Sequence, residues 1–242
     1  MEIWGHRGAY HFAPENTLTS FQMAVHLEAY GVELDIQLTR DGEVVVIHDE
    51  KVDRTSNGRG QVKDFTLSEI KKLNFNKSGL VPPPFMEIPT LAEVFELLGP
   101  TKLKINVELK TGIVFYEGIE EKALALAEKY GMLDRIVWSS FNHYSVQKVK
   151  LLEPEAETAL LCGGGILITA EQCEKTGASA LHPGIHQLRF PGLANDCHKR
   201  GLKVRTYTVN EPDEFKLARD TEVDGVFTNR IDSAKEFFNG LH

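Results

Sequence analysis

The chain has 242 residues, 42% of them hydrophobic, which is ample for a buried core and excludes disorder as its main state. No apolar run reaches the roughly 18–20 residues that span a bilayer, and the start Met1-Glu2-Ile3-Trp4-Gly5-His6-Arg7 has no basic-then-apolar export signal, so a cytoplasmic protein without membrane insertion is expected. The 35 acidic against 27 basic residues, a formal charge of −8, argue against nucleic-acid and anionic-membrane partners and, at first sight, against phosphate-bearing substrates.

Short β-branched or apolar runs alternate with segments of helical period, the signature of βα units. Residues 2–5 predict a first strand. Asn16 or Thr17 can cap a helix whose Leu18, Phe21 and Val25 share a face, with Gly31 after its end. Val32 to Thr39 and Glu43 to Ile47 flank Arg40-Asp41-Gly42, and an Asp-Gly between apolar runs predicts a hairpin. Residues 50–88 break the pattern with Ser56-Asn57-Gly58-Arg59-Gly60, one helical stretch near Leu67 to Leu73, and Pro82-Pro83-Pro84. They read as an inserted loop capping one end of a single domain that spans 1–242.

Regularity resumes with a helix over 90–98, and strands are predicted over 103–109, 135–139, 157–161, 178–182, 202–208 and 224–228. Helices over 117–130, 142–152, 169–175, 189–199, 211–220 and 232–239 separate and follow them. About eight parallel strands with intervening helices in this length predict a TIM (β/α)8 barrel, with an open doubly wound sheet as the alternative. No Gly-x-Gly-x-x-Gly follows the first strand, and Gly163-Gly164-Gly165 lacks the spacing of a phosphate loop. One of the nine strand candidates must lie outside the barrel; the hairpin region and 157–161 are the least secure. Cys162, Cys173 and Cys197 have no paired metal-ligand spacing and read as reduced thiols.

Barrel active sites form at the C-terminal ends of strands. His6-Arg7-Gly8 follows the first strand, His48-Asp49 follows the third, and Glu33, Asp35, Glu108 and Lys110 sit on or just after two others. Alternation puts Glu33 and Asp35 on one face, and Glu108 and Lys110 on one face, opposite their apolar neighbours. Three inward carboxylates make a hard oxygen site suited to one divalent metal ion, Mg2+ or Ca2+, unless Arg7 and Lys110 neutralise them as a salt-bridge cluster. His6 and His48 beside that cluster suit a general acid and a general base. Together these groups suit phosphodiester cleavage; a Schiff-base aldolase using Lys110 is disfavoured because Glu33 and Glu108 would keep that lysine charged.

The ordered set His6-Arg7-Gly8, Pro14-Glu15-Asn16-Thr17, Glu33-Leu34-Asp35, Leu38 to Gly42, His48-Asp49, Val107 to Lys110, Ser139-Ser140-Phe141, His182-Pro183, Thr206 to Asn210 and Asp224 to Asn229 resembles the glycerophosphodiester phosphodiesterase family over nearly the whole chain. The resemblance implies a TIM barrel with a small insertion after an early strand. It also implies Glu33, Asp35 and Glu108 as metal ligands, His6 and His48 as the catalytic pair, and Arg7 and Lys110 as phosphate contacts. Tyr207 stands where the family usually has Trp, an altered aromatic wall for the substrate, and Asn229-Arg230-Ile231 lacks a proline often found there. The implied partner is a small-molecule glycerophosphodiester, turned over by a monomer or homodimer. The alternatives are a lysophospholipid-cleaving phosphodiesterase, with Phe85, Met86 and Phe115 lining an acyl groove, and a non-catalytic phosphate-binding protein.

Overall fold

The computed structural model describes residues 1–77, 84–164 and 169–240. Its strands are β1 (Glu2–Gly5), β2 (Gly31–Leu38), β3 (Val44–Val46), β4 (Lys104–Leu109), β5 (Ile136–Ser140), β6 (Glu157–Cys162), β7 (Ala180–Pro183), β8 (Lys203–Thr206) and β9 (Gly225–Thr228). They form one sheet in the order β1-β9-β8-β7-β6-β5-β4-β2-β3, and β1 also pairs with β2. That last contact closes eight parallel strands into a (β/α)8 barrel. β3 alone runs antiparallel, beside β2 and outside the barrel. The hairpin arm is therefore the peripheral strand, and 157–161 belongs to the barrel. The cause is the tight turn at Gly42, whose φ of 82° and short connection can only return the chain antiparallel.

The helices are α1 (Leu18–His26), α2 (Leu67–Ile70), α3 (Leu91–Leu98), α4 (Ile119–Lys129), α5 (His143–Leu152), α6 (Thr169–Thr176), α7 (Leu193–Lys199), α8 (Pro212–Asp220) and α9 (Ile231–Asn239). Thr17, not Asn16, caps α1, accepting from the Ser20 amide. The helix expected over 189–199 starts only at Leu193: a 3-10 turn ends at Arg189, and Gly192 just before α7 takes a φ of 82° after Pro191.

Strand alternation separates two cores. Leu34, Ile36, Ile105 and Val107 face outward against the helices, while Trp4, Val137, Ala159, Ala180 and Phe227 pack inside the barrel. At the floor, the buried Arg205 guanidinium donates to Glu2 (Nε to Oε2, 2.6 Å) and Glu157 (Nη2 to Oε1, 2.7 Å) and lies 5.4 Å from the centroid of the Trp4 ring. Val45, Ile47, Val52, Val62, Ile70, Phe75 and Ile88 form a separate small apolar cluster beside the barrel. Pro82, Pro83 and Gly165 lie outside the described residues. The three cysteines are free and buried, and no helix among the described residues is long and apolar enough to cross a membrane.

Candidate active site

Glu33 and Asp35 point into the barrel from β2, and Glu108 from the end of β4. Register places Asp35 directly beside Glu108. One carboxylate oxygen from each of the three lies within 4.8 Å of the others, all buried. Ligand oxygens around one hard cation at about 2.0–2.6 Å are separated by up to about 4–5 Å, so the cluster is the right size for a divalent ion. Asp35 Oδ1 is buried without a hydrogen-bond partner, which is what an open coordination position requires. Burial, then the Asp35 and Glu108 charges, push the Glu33 carboxyl well above its usual range. Burial and Asp35 do the same to Glu108 against the pull of Lys110. Asp35 moves the other way: His48, Arg7, Lys110 and the Asn16 amide outweigh its burial. Arg7 and Lys110 therefore do not suffice to hold all three acids in their charged form.

Those partners are Lys110, whose Nζ donates to Glu108 Oε1 at 2.9 Å, and Arg7, whose Nε is 3.7 Å from Asp35 Oδ2 and whose amide donates to Glu33 Oε2 at 2.8 Å. Arg7 has a φ of 55°, a turn that directs both its amide and its side chain toward the acids. Burial works against the Lys110 ammonium, but Glu108 and Asp35 hold its pKa above the ordinary lysine value, so it stays charged. That removes the amine needed for Schiff-base chemistry.

The two imidazoles at the mouth have different backing. His6 Nδ1 donates to the Asn229 side-chain oxygen at 2.8 Å, leaving Nε2 as its lone-pair nitrogen. Burial, then the Arg7 charge, push its pKa down to about 4. His48 Nδ1 instead faces the Asp49 carboxylate at 2.7 Å. Hydrogen bonds from Arg54 and from His48 outweigh partial burial and hold Asp49 well below the usual carboxylate range. Gln37, the next inward residue of β2 after Asp35, braces this turn. Its Nε2 faces the carbonyls of Ile47, His48 and Asp49 at 3.0, 3.0 and 2.8 Å, and its Oε1 accepts from Tyr116.

His6, Arg7, Glu33, His48, Glu108 and Tyr207 line one cavity of about 200 Å3, walled on the far side by Phe141, Leu161 and Phe227. Asp35 and Lys110 do not line it; they lie behind it, Asp35 against Arg7 and Lys110 against Glu108. Tyr207 Oη donates to the Cys162 carbonyl at 2.9 Å, and its ring meets Phe141 edge-on. A second cavity of about 640 Å3 lies between residues 10–15 and the inserted segment; Met86 lines it, Phe85 and Phe115 do not. Although larger, it contains none of the acid cluster, so the chemistry belongs to the smaller one. Gln37 and Arg54 belong to none of the motifs read from the sequence, and Asn229 ends one of them without its bond to His6 being signalled. Period-two alternation from Asp35 reaches Gln37; nothing local signals the other two.

A cluster of buried acids flanked by two imidazoles, with Arg7 and Lys110 beside it, suits attack on phosphorus, and on this barrel it fits the class of phosphoric diester hydrolases. The profile of the glycerophosphoryl diester phosphodiesterase family matches residues 6–233, and the chain belongs to that family. It is 43% identical to a glycerophosphodiester phosphodiesterase of Caldanaerobacter subterraneus subsp. tengcongensis, over 94% of this chain and 93% of that protein. A crystal structure of a glycerophosphodiester phosphodiesterase from Agrobacterium tumefaciens superposes with a TM-score of 0.84 at 28% identity, covering 97% of this chain and 98% of that one. An Oleispira antarctica phosphodiesterase solved in complex with the product sn-glycerol-3-phosphate superposes with a TM-score of 0.86 at 26% identity, covering 99% and 97%.

Proposed function

We propose that this enzyme hydrolyses glycerophosphodiesters, such as glycerophosphocholine and glycerophosphoethanolamine, to sn-glycerol 3-phosphate and the free alcohol. In this reading Glu33, Asp35 and Glu108 hold one Mg2+ or Ca2+, His6 and His48 exchange the protons, Arg7 and Lys110 bind the phosphate, and Tyr207 walls the organic part of the substrate. The whole chain acts as one domain with 50–88 as its cap. The observation that carries the reading is the unequal backing of the two imidazoles beside an undercompensated acid cluster.

A cation held by Glu33, Asp35 and Glu108 would supply Lewis-acid polarisation of a phosphoryl oxygen and a lower pKa for an attacking hydroxyl. His6, neutral and with Nε2 as its lone pair, accepts the proton of that hydroxyl. The phosphorus–oxygen bond to the leaving alcohol breaks, and His48, backed by the anionic Asp49, delivers a proton to the departing oxygen. Arg7 and Lys110 balance the charge that develops on the phosphoryl oxygens. The attacking hydroxyl is the substrate's own glycerol 2-hydroxyl, giving a cyclic phosphate that water then opens, or water itself; rapid-quench detection of the cyclic species separates the two routes. The small cavity favours a compact polar substrate over an acyl chain, and the product seen in the Oleispira relative is of that kind.

The test is release of sn-glycerol 3-phosphate from glycerophosphocholine, with and without EDTA, beside His6→Ala. Activity is expected to vanish on chelation and return with Mg2+ or Ca2+, and to fall about 10^3-fold in His6→Ala. Full activity after chelation would overturn the metal assignment, normal turnover by His6→Ala the acid–base assignment, and no glycerol 3-phosphate from any such diester the substrate class.

A further inference from the structure

One side chain of the inserted segment reaches both arms of the site. The Arg54 guanidinium spans two carboxylates. It donates to Asp49 from Nε (2.7 Å to Oδ2) and Nη2 (3.0 Å to Oδ1), and to Glu15 from Nη1 (2.6 Å to Oε2) and Nη2 (2.8 Å to Oε1). Each carboxylate has a second partner in the site. Asp49 Oδ1 faces His48 Nδ1 at 2.7 Å, and Glu15 Oε1 accepts from Arg7 Nη1 at 2.7 Å. The result is a continuous chain, His48–Asp49–Arg54–Glu15–Arg7, joining the imidazole on one loop to the guanidinium on another.

An isolated exposed ion pair contributes about 1 kcal/mol at most and orders little. Here the Glu15 carboxyl is buried, both contacts are two-pronged, and the planar fork fixes both acids at once. A lysine, as a single point charge, cannot make four such bonds. Without Arg54, Asp49 is free to turn from His48, and Glu15 is left to Arg7 alone, drawing that guanidinium away from Asp35.

We propose that Arg54 is a positioning residue: by holding Asp49 and Glu15 together it keeps the Nδ1–H of His48 on Asp49, with Nε2 left to carry the proton that is delivered, and Arg7 aimed at the acid cluster, aligning proton transfer with phosphate binding. This deepens the reading under Proposed function and rests on it. The inserted segment then contributes to the reaction through one guanidinium, without touching the substrate.

The experiment compares wild type with Arg54→Ala and Arg54→Lys by steady-state kinetics on glycerophosphocholine and, without substrate, by 15N NMR of the His48 ring. Misalignment of this kind costs up to about 10^2-fold. Arg54→Ala is expected to lose about 10- to 100-fold in kcat/KM, in both kcat and KM, with His48 passing to a mixture of tautomers. Arg54→Lys should recover only part of the loss, and millimolar guanidinium ion should restore activity to Arg54→Ala while leaving wild type unchanged. A kcat/KM within twofold of wild type overturns the proposal, as does a His48 tautomer unaffected in Arg54→Ala. If Arg54→Ala does not fold, the same two readings on Arg54→Lys decide. If wild type itself releases no glycerol 3-phosphate, the substrate reading falls, and the NMR comparison still decides the role of Arg54.

Discussion

At the floor of the barrel Glu2 and Glu157 face Arg205 and Lys203, two acids against two cations, with Arg205 donating to both acids at 2.6 and 2.7 Å. At the mouth Glu33, Asp35 and Glu108 share Arg7 and Lys110, and Arg7 is also drawn off by Glu15. Both sites set acids against Arg and Lys, and Asp35, like Glu2, is held low, but the glutamates of the two sites move in opposite directions. Burial disfavours the charged Glu2 carboxyl, but hydrogen bonding and attraction from Arg205 prevail and hold it below its usual range. Burial prevails at Glu33 and Glu108, which rise. An ion cluster that only holds a fold together closes its own charge balance; one built for a ligand leaves a deficit for that ligand to fill.

The largest effect that tests this contrast comes from Glu33→Gln. Loss of cation-assisted stabilisation is worth several kcal/mol, about 10^3- to 10^4-fold in kcat/KM. The chelated variant should nonetheless unfold at no lower denaturant concentration than chelated wild type, because one of three repelling buried acids has gone. A clear destabilisation would show that the mouth is as structural as the floor. Arg205→Met should do the reverse. Removing the cation strands Glu2 and Glu157 and should cost about 3 kcal/mol in urea unfolding, roughly 10^2-fold in the folding equilibrium, while the folded fraction keeps its turnover rate.

A smaller effect on activity is expected at Gln37→Leu, which frees the His48–Asp49 turn; kcat should fall about tenfold, and the polar groups left without partners should lower the melting temperature by several degrees. The smallest is a pH effect at the floor. Because the folded pKa of Glu2 is depressed, its stabilisation is present above its unfolded value near 4.3 and is lost as pH falls through the lower folded value. Wild type should therefore exceed Glu2→Gln by about 1 kcal/mol at neutral pH, allowing for partial exposure, and the two urea midpoints should converge below about pH 4. Parallel midpoints across that range would remove Arg205–Glu2 as the source.

Much of this arrangement follows from short-range pattern. Period-two alternation puts Glu33 and Asp35 on one face of β2, and parallel pairing of β2 with β4 then brings Glu108 alongside. The Asp-Gly turn likewise carries the antiparallel excursion of β3 within itself. What pattern did not yield are partners set by closure of the barrel. Asn229 meets His6 across 223 positions, and Arg54 meets Glu15 across 39, on a loop with no periodicity of its own. The late start of α7 has another origin: Leu193 and its neighbours carry helical period, but Gly192 in the left-handed region breaks the helix ahead of them.

The brace formed by Gln37 has a consequence for how such a molecule can diversify. It fastens residues 47–49 to β2 just before the chain departs on its excursion, which returns at Pro89, whose carbonyl accepts from the Val46 amide at 2.8 Å. Entry and exit are both pinned to the hairpin, so the stretch beyond Arg54 can be lengthened at an entropic cost of only about 0.6 kcal/mol for each doubling of its length, provided Val62, Ile70, Phe75 and Ile88 still pack against Val45, Ile47 and Val52. A longer rim grafted between those two anchors is therefore expected to leave the barrel folded and the Gln37 brace in place.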